Sequence, residues 1–262
     1  MSDREQKIRE EEIRLHETLA EEYVKRRASA GSQLFDAYWN QEVIKCLDTS
    51  EAKQALDCCC GDGILLPDLA ERYDKVIGLD ISEAMLKLAA QREPREKIEL
   101  VCGEVEHLPF ADNAFDAITF RGAFHHVSDP AQSMKEVHRI LRPGGQVVFF
   151  EPNGDPWIWR AARRLYYAMS HRFSSGHRSY RARELHALLE GAGLQPTTTK
   201  RLFYLAYPFA GLLDHFKVFR FVPFHAALTR FLLAVDRVLA MIPGIQHLGF
   251  ALVVVAEKPA RS

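Results

Sequence analysis

From residue 53 onward, short apolar runs alternate with longer runs of helical period. QALDCC, KVIGLD, KIELVCG, FDAITFRG and QVVFFEP read as strands, and GFALVVVAEK as the last strand of the chain. Between them, ILLPDLAERY, SEAMLKLAAQRE, DPAQSMKEVHRILRPGG and YRARELHALLEGAG read as helices. Ser82 is the expected N-cap of the second of these, and Pro143 with two glycines the expected stop of the third. Upstream, residues 3–27 predict one more helix, with Ile8, Leu15, Leu19 and Tyr23 near one face and charged residues elsewhere. Fully apolar strands alternating with helices predict βαβ units and a parallel sheet covered on both faces. Such sheets bind ligands at the carboxyl ends of their strands, where the strand order reverses.

Composition narrows this without redirecting it. The 262 residues suit a single domain with elaborations, and 47% hydrophobic with 26% charged residues is an ordinary globular balance. A net charge of −1 argues against a general polyanion binder. The five cysteines follow an N-terminus too charged for a secretory signal, which predicts a reduced, cytoplasmic protein. Val238–Ala256 is the longest uncharged stretch, but Pro243, Gly244, Gln246, His247 and Gly249 interrupt it, so no spanning helix is expected.

The chemistry gathers at strand ends. Gly61-Asp62-Gly63 follows the first strand and lets the backbone turn tightly against a ligand. A dinucleotide fingerprint would carry a third glycine at position 66, where this chain has Leu66. Asp80 closes the second strand, where a carboxylate can accept from both hydroxyls of a ribose. The ligand implied is a nucleoside, with or without a pyrophosphate. A nucleotide-linked dehydrogenase is disfavoured by Leu66.

Four stretches together carry a family resemblance: ALDCCCGDG, VIGLDIS, GEVEHLPFADNAFDAITFRGAFHHVSDP and KEVHRILRPGGQVVFFEP. In order and spacing they resemble the class I S-adenosylmethionine-dependent methyltransferases, in the branch that includes the quinone-biosynthesis C-methyltransferases. The resemblance spans roughly residues 10–200. It implies an α/β, Rossmann-like doubly wound fold with a mostly parallel seven-stranded sheet and a reversed last strand, and S-adenosylmethionine as cofactor. It further implies that Asp57, Gly61 and Gly63 line the methionine end, that Asp80 binds the ribose, and that Ile81 packs on the adenine. Glu104-Val105 stands where the family has Asp-Ala, so Glu104 would take the adenine amino group. Arg121 would sit where cofactor and acceptor meet. Tyr23 matches an N-terminal Ala-x-x-Tyr of a helix that lids the cofactor, and could equally be a staple of that helix to the body. Cys59 replaces the family's first loop glycine and puts a Cβ and a thiol on the cofactor's platform. Adjacent strand residues point to opposite faces, so Cys58, Cys59 and Cys60 cannot converge on one metal ion, and no metal site is expected.

Methyl transfer from a sulfonium needs an acceptor in line, and a proton acceptor when the acceptor atom holds its proton tightly. His125 and His126 after the fourth strand are the candidates, with His177 a third. The bland alternative is that a histidine there hydrogen-bonds its own loop. Residues 1–45 are read as a helical lid, and 152–180 and 202–248 as acceptor-side insertions. Residues 157–183 hold seven arginines and no acid, interleaved with aromatics. In 202–248, Phe224, Leu228, Phe231, Leu232, Val235, Val238, Leu239 and Ile242 form one helical stripe, in part a packing face. Together they point to a hydrophobic or amphiphilic small-molecule acceptor, a lipid, prenylated ring or lipid-linked group, with an anionic membrane surface and a second copy of the chain as candidate partners. Methylation of RNA or protein, or cofactor binding without catalysis, are the alternatives; nucleic acid is disfavoured because no RNA-binding module flanks the basic stretch.

Overall fold

The computed structural model describes residues 3–26, 29–47, 53–92, 95–169, 178–207 and 224–260, without the side chains of 3–5, 19, 21–26, 95 and 166–169. Seven strands form one sheet: β1 (Gln54–Cys58), β2 (Lys75–Asp80), β3 (Ile98–Cys102), β4 (Phe115–Arg121), β5 (Leu141–Pro152), β6 (Gln195–Leu202) and β7 (Ala251–Glu257). Their order is β3-β2-β1-β4-β5-β7-β6. β1 to β5 pair in parallel, and β7 is antiparallel to both β5 and β6. This is the mostly parallel seven-stranded sheet with a reversed last strand that the resemblance implied. The order turns around between β1 and β4, so the loops after these strands diverge and leave a crevice.

Eight helices are described: α1 (Asp3–Arg26), α2 (Ala30–Ile44), α3 (Leu66–Ala70), α4 (Glu83–Ala89), α5 (Pro130–Ile140), α6 (Trp157–Met169), α7 (Ala182–Gly191) and α8 (His225–Leu239). Ser82 caps α4 as expected, accepting from Met85 N–H. The core lies on both faces of the sheet. Leu56 and Cys58 of β1 pack into one apolar cluster and Ala55 into the other, following the two-residue strand period; Cys60, past the left-handed Cys59, joins the cluster of Ala55.

One expectation is corrected, and the structure adds two features that the sequence pattern left open. The helix after Asp129 ends at Ile140, ahead of Pro143 and the glycines, because Leu141 is already extended and pairs with Phe115 of β4. The strand QPTTTKRL was not legible from the rhythm; β6 is a polar edge strand, with few apolar residues to mark it. The apolar stripe of α8 is divided: Leu232, Val235 and Leu239 are half-buried, while Phe224, Leu228, Phe231, Val238 and Ile242 are exposed and the helix buries Thr229, Leu233 and Asp236. Asp236 decides this rotation, since its carboxylate accepts from Leu205 N–H (2.8 Å) and Ala206 N–H (3.1 Å) just beyond β6. A buried carboxylate holding two backbone donors outweighs the burial of one more apolar face. Among the described residues no helix is long and apolar enough to cross a membrane.

Candidate active site

The loop leaving β1 passes through three left-handed residues: Cys59 (φ 57°), Gly61 (φ 55°) and Gly63 (φ 72°). Glycine takes this conformation freely, whereas a Cβ makes it cost about 1–2 kcal/mol, so Cys59 holds strain that its two neighbours do not. A Cβ on Gly61 would meet nothing within 4 Å, because that side of the backbone opens onto the cleft. A Cβ on Gly63 would lie 2.9 Å from Ala89 Cβ and 3.0 Å from Leu66 Cδ1, so that glycine serves helix packing. Leu66 thus fills the space left by Gly63 and by Gly78 of β2.

Asp80, at the carboxyl end of β2, is locked by this loop. Gly61 N–H donates to its Oδ2 (2.8 Å) and Ser82 N–H to its Oδ1 (2.9 Å). Each oxygen accepts one bond and keeps capacity for another. The parallel register places Asp57 of β1 beside Thr119 of β4, whose hydroxyl donates to Asp57 Oδ1 at 2.7 Å. Burial pushes the Asp57 carboxyl up to about 7, against the opposing effects of that hydrogen bond and of the Arg121 charge. Burial likewise pushes the Cys58, Cys59 and Cys60 thiols well above their ordinary value, which keeps them protonated and poor nucleophiles.

Arg121 ends β4. Its Nη2 donates to Asp36 of α2 at 2.6 Å, and its guanidinium lies 4.3 Å from the Trp39 ring centroid. Its Nε is buried without a hydrogen-bond partner. An unsatisfied buried donor at a cleft wall is a group for a ligand to meet.

Most of these residues line one open cleft at the carboxyl ends of β1, β2 and β4. Asp57, Cys59, Gly61, Asp80, Ile81, Glu104, Val105, Arg121 and His126 all line it. Gly63 and His125 do not belong to its lining. The 3-10 turn Phe124–His126 carries the two histidines side by side, their ring centroids 4.2 Å apart, and each meets a different carboxylate. His125 is buried, its Nδ1 2.6 Å from Glu151 Oε2, while Glu151 Oε1 accepts from Ala123 and Phe124 N–H. His126, half-buried, has Nδ1 3.0 Å from both carboxylate oxygens of Glu12 on α1. Tyr23 lies on α1 with its side chain outside the described residues, and His177 lies outside them altogether.

Arg9, Glu12 and His16 were missed by the sequence reading, yet all three line the cleft from α1. Arg9 Nη2 bonds Glu104, and His16 Nδ1 lies 3.5 Å from Glu12. The available signal was spacing: Glu12 falls four residues after the buried Ile8, on the packed face of the helix. An acid there needs partners.

The donor set suits S-adenosylmethionine. The cleft combines a strand-end carboxylate with spare acceptor capacity, the apolar side chains of Ile81 and Val105, an acid in Asp57 and an unmet donor in Arg121, the chemistry that a ribose, an adenine, an ammonium and a carboxylate would require.

Residues 56–149 match a family model described as a methyltransferase domain. Over 117 residues the chain is 38% identical to a demethylmenaquinone methyltransferase of Staphylococcus epidermidis, covering 43% of this chain and 48% of that one. It is 31% identical over 183 residues to a demethylmenaquinone methyltransferase of Lysinibacillus sphaericus, covering 62% of this chain and 78% of the other. The chain spans about half the length of the first of these relatives. Among solved structures, a Haloferax volcanii methyltransferase in complex with the Trm112 activator superposes with a TM-score of 0.65 at 18% identity, covering 93% and 97% of the two chains. At that identity the likeness is one of fold.

Proposed function

Because the chain belongs to the class I S-adenosylmethionine-dependent methyltransferases of the quinone-biosynthesis branch, we propose that it transfers a methyl group from S-adenosylmethionine to an amphiphilic small molecule, a hydroxylated quinol-type ring with an apolar tail. The observation that carries this reading is the single cleft shared by the fixed Asp80 carboxylate and the His126–Glu12 pair. The quinol ring is supported by the names of the relatives, which act on demethylmenaquinone.

When bound, S-adenosylmethionine supplies an electrophilic methyl on a sulfonium. The rest is the work of the chain's own residues. Asp80 accepts from the ribose hydroxyls on the capacity that Gly61 and Ser82 leave. Ile81 and Val105 flank the adenine, and Glu104 meets its amino group, sharing its carboxylate with Arg9. Asp57 takes the ammonium of the methionine end and Arg121 its carboxylate, over the platform of Cys59 and Gly61. Glu12 accepts from His126 Nδ1–H, which fixes the tautomer and leaves Nε2 with the lone pair that takes the acceptor's hydroxyl proton. Loss of that proton raises electron density on the ring carbon to be methylated. His125, held by Glu151, keeps the turn in shape, and His177 is a further candidate for the acceptor wall. Tyr23 on α1 belongs to the lid over the cofactor. An acceptor with an apolar tail resides in a bilayer, so the enzyme works at the periphery of an anionic membrane surface, on its cytoplasmic side.

Calorimetry with S-adenosylhomocysteine, followed by turnover of labelled S-adenosylmethionine with a short-tailed naphthoquinol, RNA or protein extract, tests the reading. Methylation of the quinol alone is expected. Cofactor binding without turnover of any acceptor, or label appearing in RNA or protein, would overturn it.

A further inference from the structure

Two helices leave apolar side chains in solvent. On α6, Trp157 is 72% exposed, and Ile158 and Leu165 are also exposed. On α8 and the turn after it, Phe231 is 63% exposed, Met241 81%, and Phe224, Val238, Ile242 and Leu248 are exposed as well. The opposite sides of both helices are pinned. Arg163 of α6 donates to the carbonyls of Asn153 (2.7 Å) and Phe250 (2.9 Å) and lies over the Phe250 ring, while α8 is fixed through Asp236. α6 and the turn after α8 meet where the half-buried Trp159 donates Nε1–H to Leu248 O at 2.6 Å. Isolated exposed apolar residues are normal on a monomer, but a clustered set of this size marks a contact.

Charge says with what. Among the described residues of 156–165 and 224–248, the only carboxylate is Asp236, which is buried. Arg164 and Arg230 are exposed among the apolar side chains. Apolar rings interspersed with arginines and free of exposed acid match the interfacial zone of an anionic bilayer, where the rings enter below the headgroups and the guanidiniums meet the phosphates. A second copy of the chain would bring the same cations against one another.

The position fits as well. α6 leaves the carboxyl end of β5, and the turn ending at Leu248 enters β7 at Ala251, which pairs with Pro152 at that same end. One residue before Pro152, Glu151 holds the turn that carries His126 to the cleft. On the other side, α2 bridges the two sites: Arg237 of α8 lies over Tyr38, and the adjacent Trp39 lies against Arg121.

We propose that the outward faces of α6 and α8, with the turn 241–248, form a monotopic docking surface for an anionic lipid bilayer, set at the cleft's end of the sheet to receive a tailed acceptor. This deepens the functional reading above and rests on it for the acceptor.

Flotation with phosphatidylcholine vesicles, with and without phosphatidylglycerol, tests it. The wild-type chain should float with the phosphatidylglycerol vesicles, and less as salt rises. Trp157→Glu with Phe231→Glu should abolish flotation, and Arg164→Gln with Arg230→Gln should weaken it roughly thirtyfold. Circular dichroism and S-adenosylhomocysteine affinity must match wild type in both variants. Turnover of a soluble short-tailed quinol should survive both, while turnover of a bilayer-embedded long-tailed quinol should fall. A wild-type chain that stays unbound, variants that float like wild type, or a wild-type dimer in sedimentation that the glutamates make monomeric would each overturn the docking surface. Because soluble-quinol turnover is measured separately, its persistence would leave the methyltransferase reading standing when flotation fails.

Discussion

His126 of the turn after β4 and Glu12 of the N-terminal helix, 114 residues apart, meet with the imidazole Nδ1 3.0 Å from both carboxylate oxygens. Glu12 is buried, and His16 adds a second imidazole at 3.5 Å. A carboxylate from the helix that covers the cleft thus sets the tautomer of a histidine that lines it.

That contact predicts a kinetic signature. Glu12→Gln and His126→Ala should each lower kcat about a hundredfold, the usual worth of a positioned proton acceptor. Their S-adenosylhomocysteine affinities should stay within a few-fold of wild type. Stopped-flow turnover with a quinol acceptor and calorimetry on the same samples check this; an unchanged kcat in both variants would remove the pair from the chemistry.

His125 should behave differently from its neighbour. It is bonded to Glu151, which also holds the backbone of the turn. His125→Ala should cost about 1–3 kcal/mol of stability in urea, because a buried carboxylate loses a partner. Its kcat should fall much less than that of His126→Ala.

Cys59 and Gly61 share the left-handed conformation and should respond in opposite directions. Cys59→Gly should raise stability by about 1 kcal/mol and keep or improve cofactor affinity. Gly61→Val should abolish cofactor binding, since its side chain enters the cleft on a strained backbone. Thermal melts and calorimetry distinguish them. Loss of activity in Cys59→Gly at unchanged cofactor affinity would assign the thiol a chemical role.

Asp57 makes a pH prediction. With its carboxyl raised to about 7 in the fold and ordinary in the unfolded chain, the folded state holds one more proton between these values. Stability therefore falls as pH rises from roughly 4 to about 7, then levels. Asp57→Asn should match wild type near pH 4 and exceed it at pH 8, by an amount on the order of a few kcal/mol. A cationic ligand favours the ionised carboxylate, so S-adenosylmethionine should bind more tightly from pH 6 to 8 and release a proton on binding near pH 6.5. Calorimetry in buffers of differing ionisation enthalpy reads that proton directly.

Much of the cleft's lining was legible in short windows. Asp80, Gly61 and Arg121 sit at strand ends, and a strand end is set by local apolar pattern and by the turn that follows. Glu12 and Asp36 were not, because each earns its place through a partner far along the chain, His126 and Arg121 respectively. The rotation of α8 escaped for the same reason: its apolar stripe was visible, but the backbone donors of Leu205 and Ala206 that draw Asp236 inward were not.

By itself, then, the sequence determined the strands from β1 to β5 and β7, the glycine turn, and the acid that closes β2, because hydrophobic period, turn chemistry and capping act over a few residues. The tertiary structure alone decided which histidine enters the cleft, which carboxylate it meets, and which side of α8 remains in solvent. Those outcomes depend on satisfying buried polar groups, and the groups that do so come together only when the sheet and its covering helices are assembled.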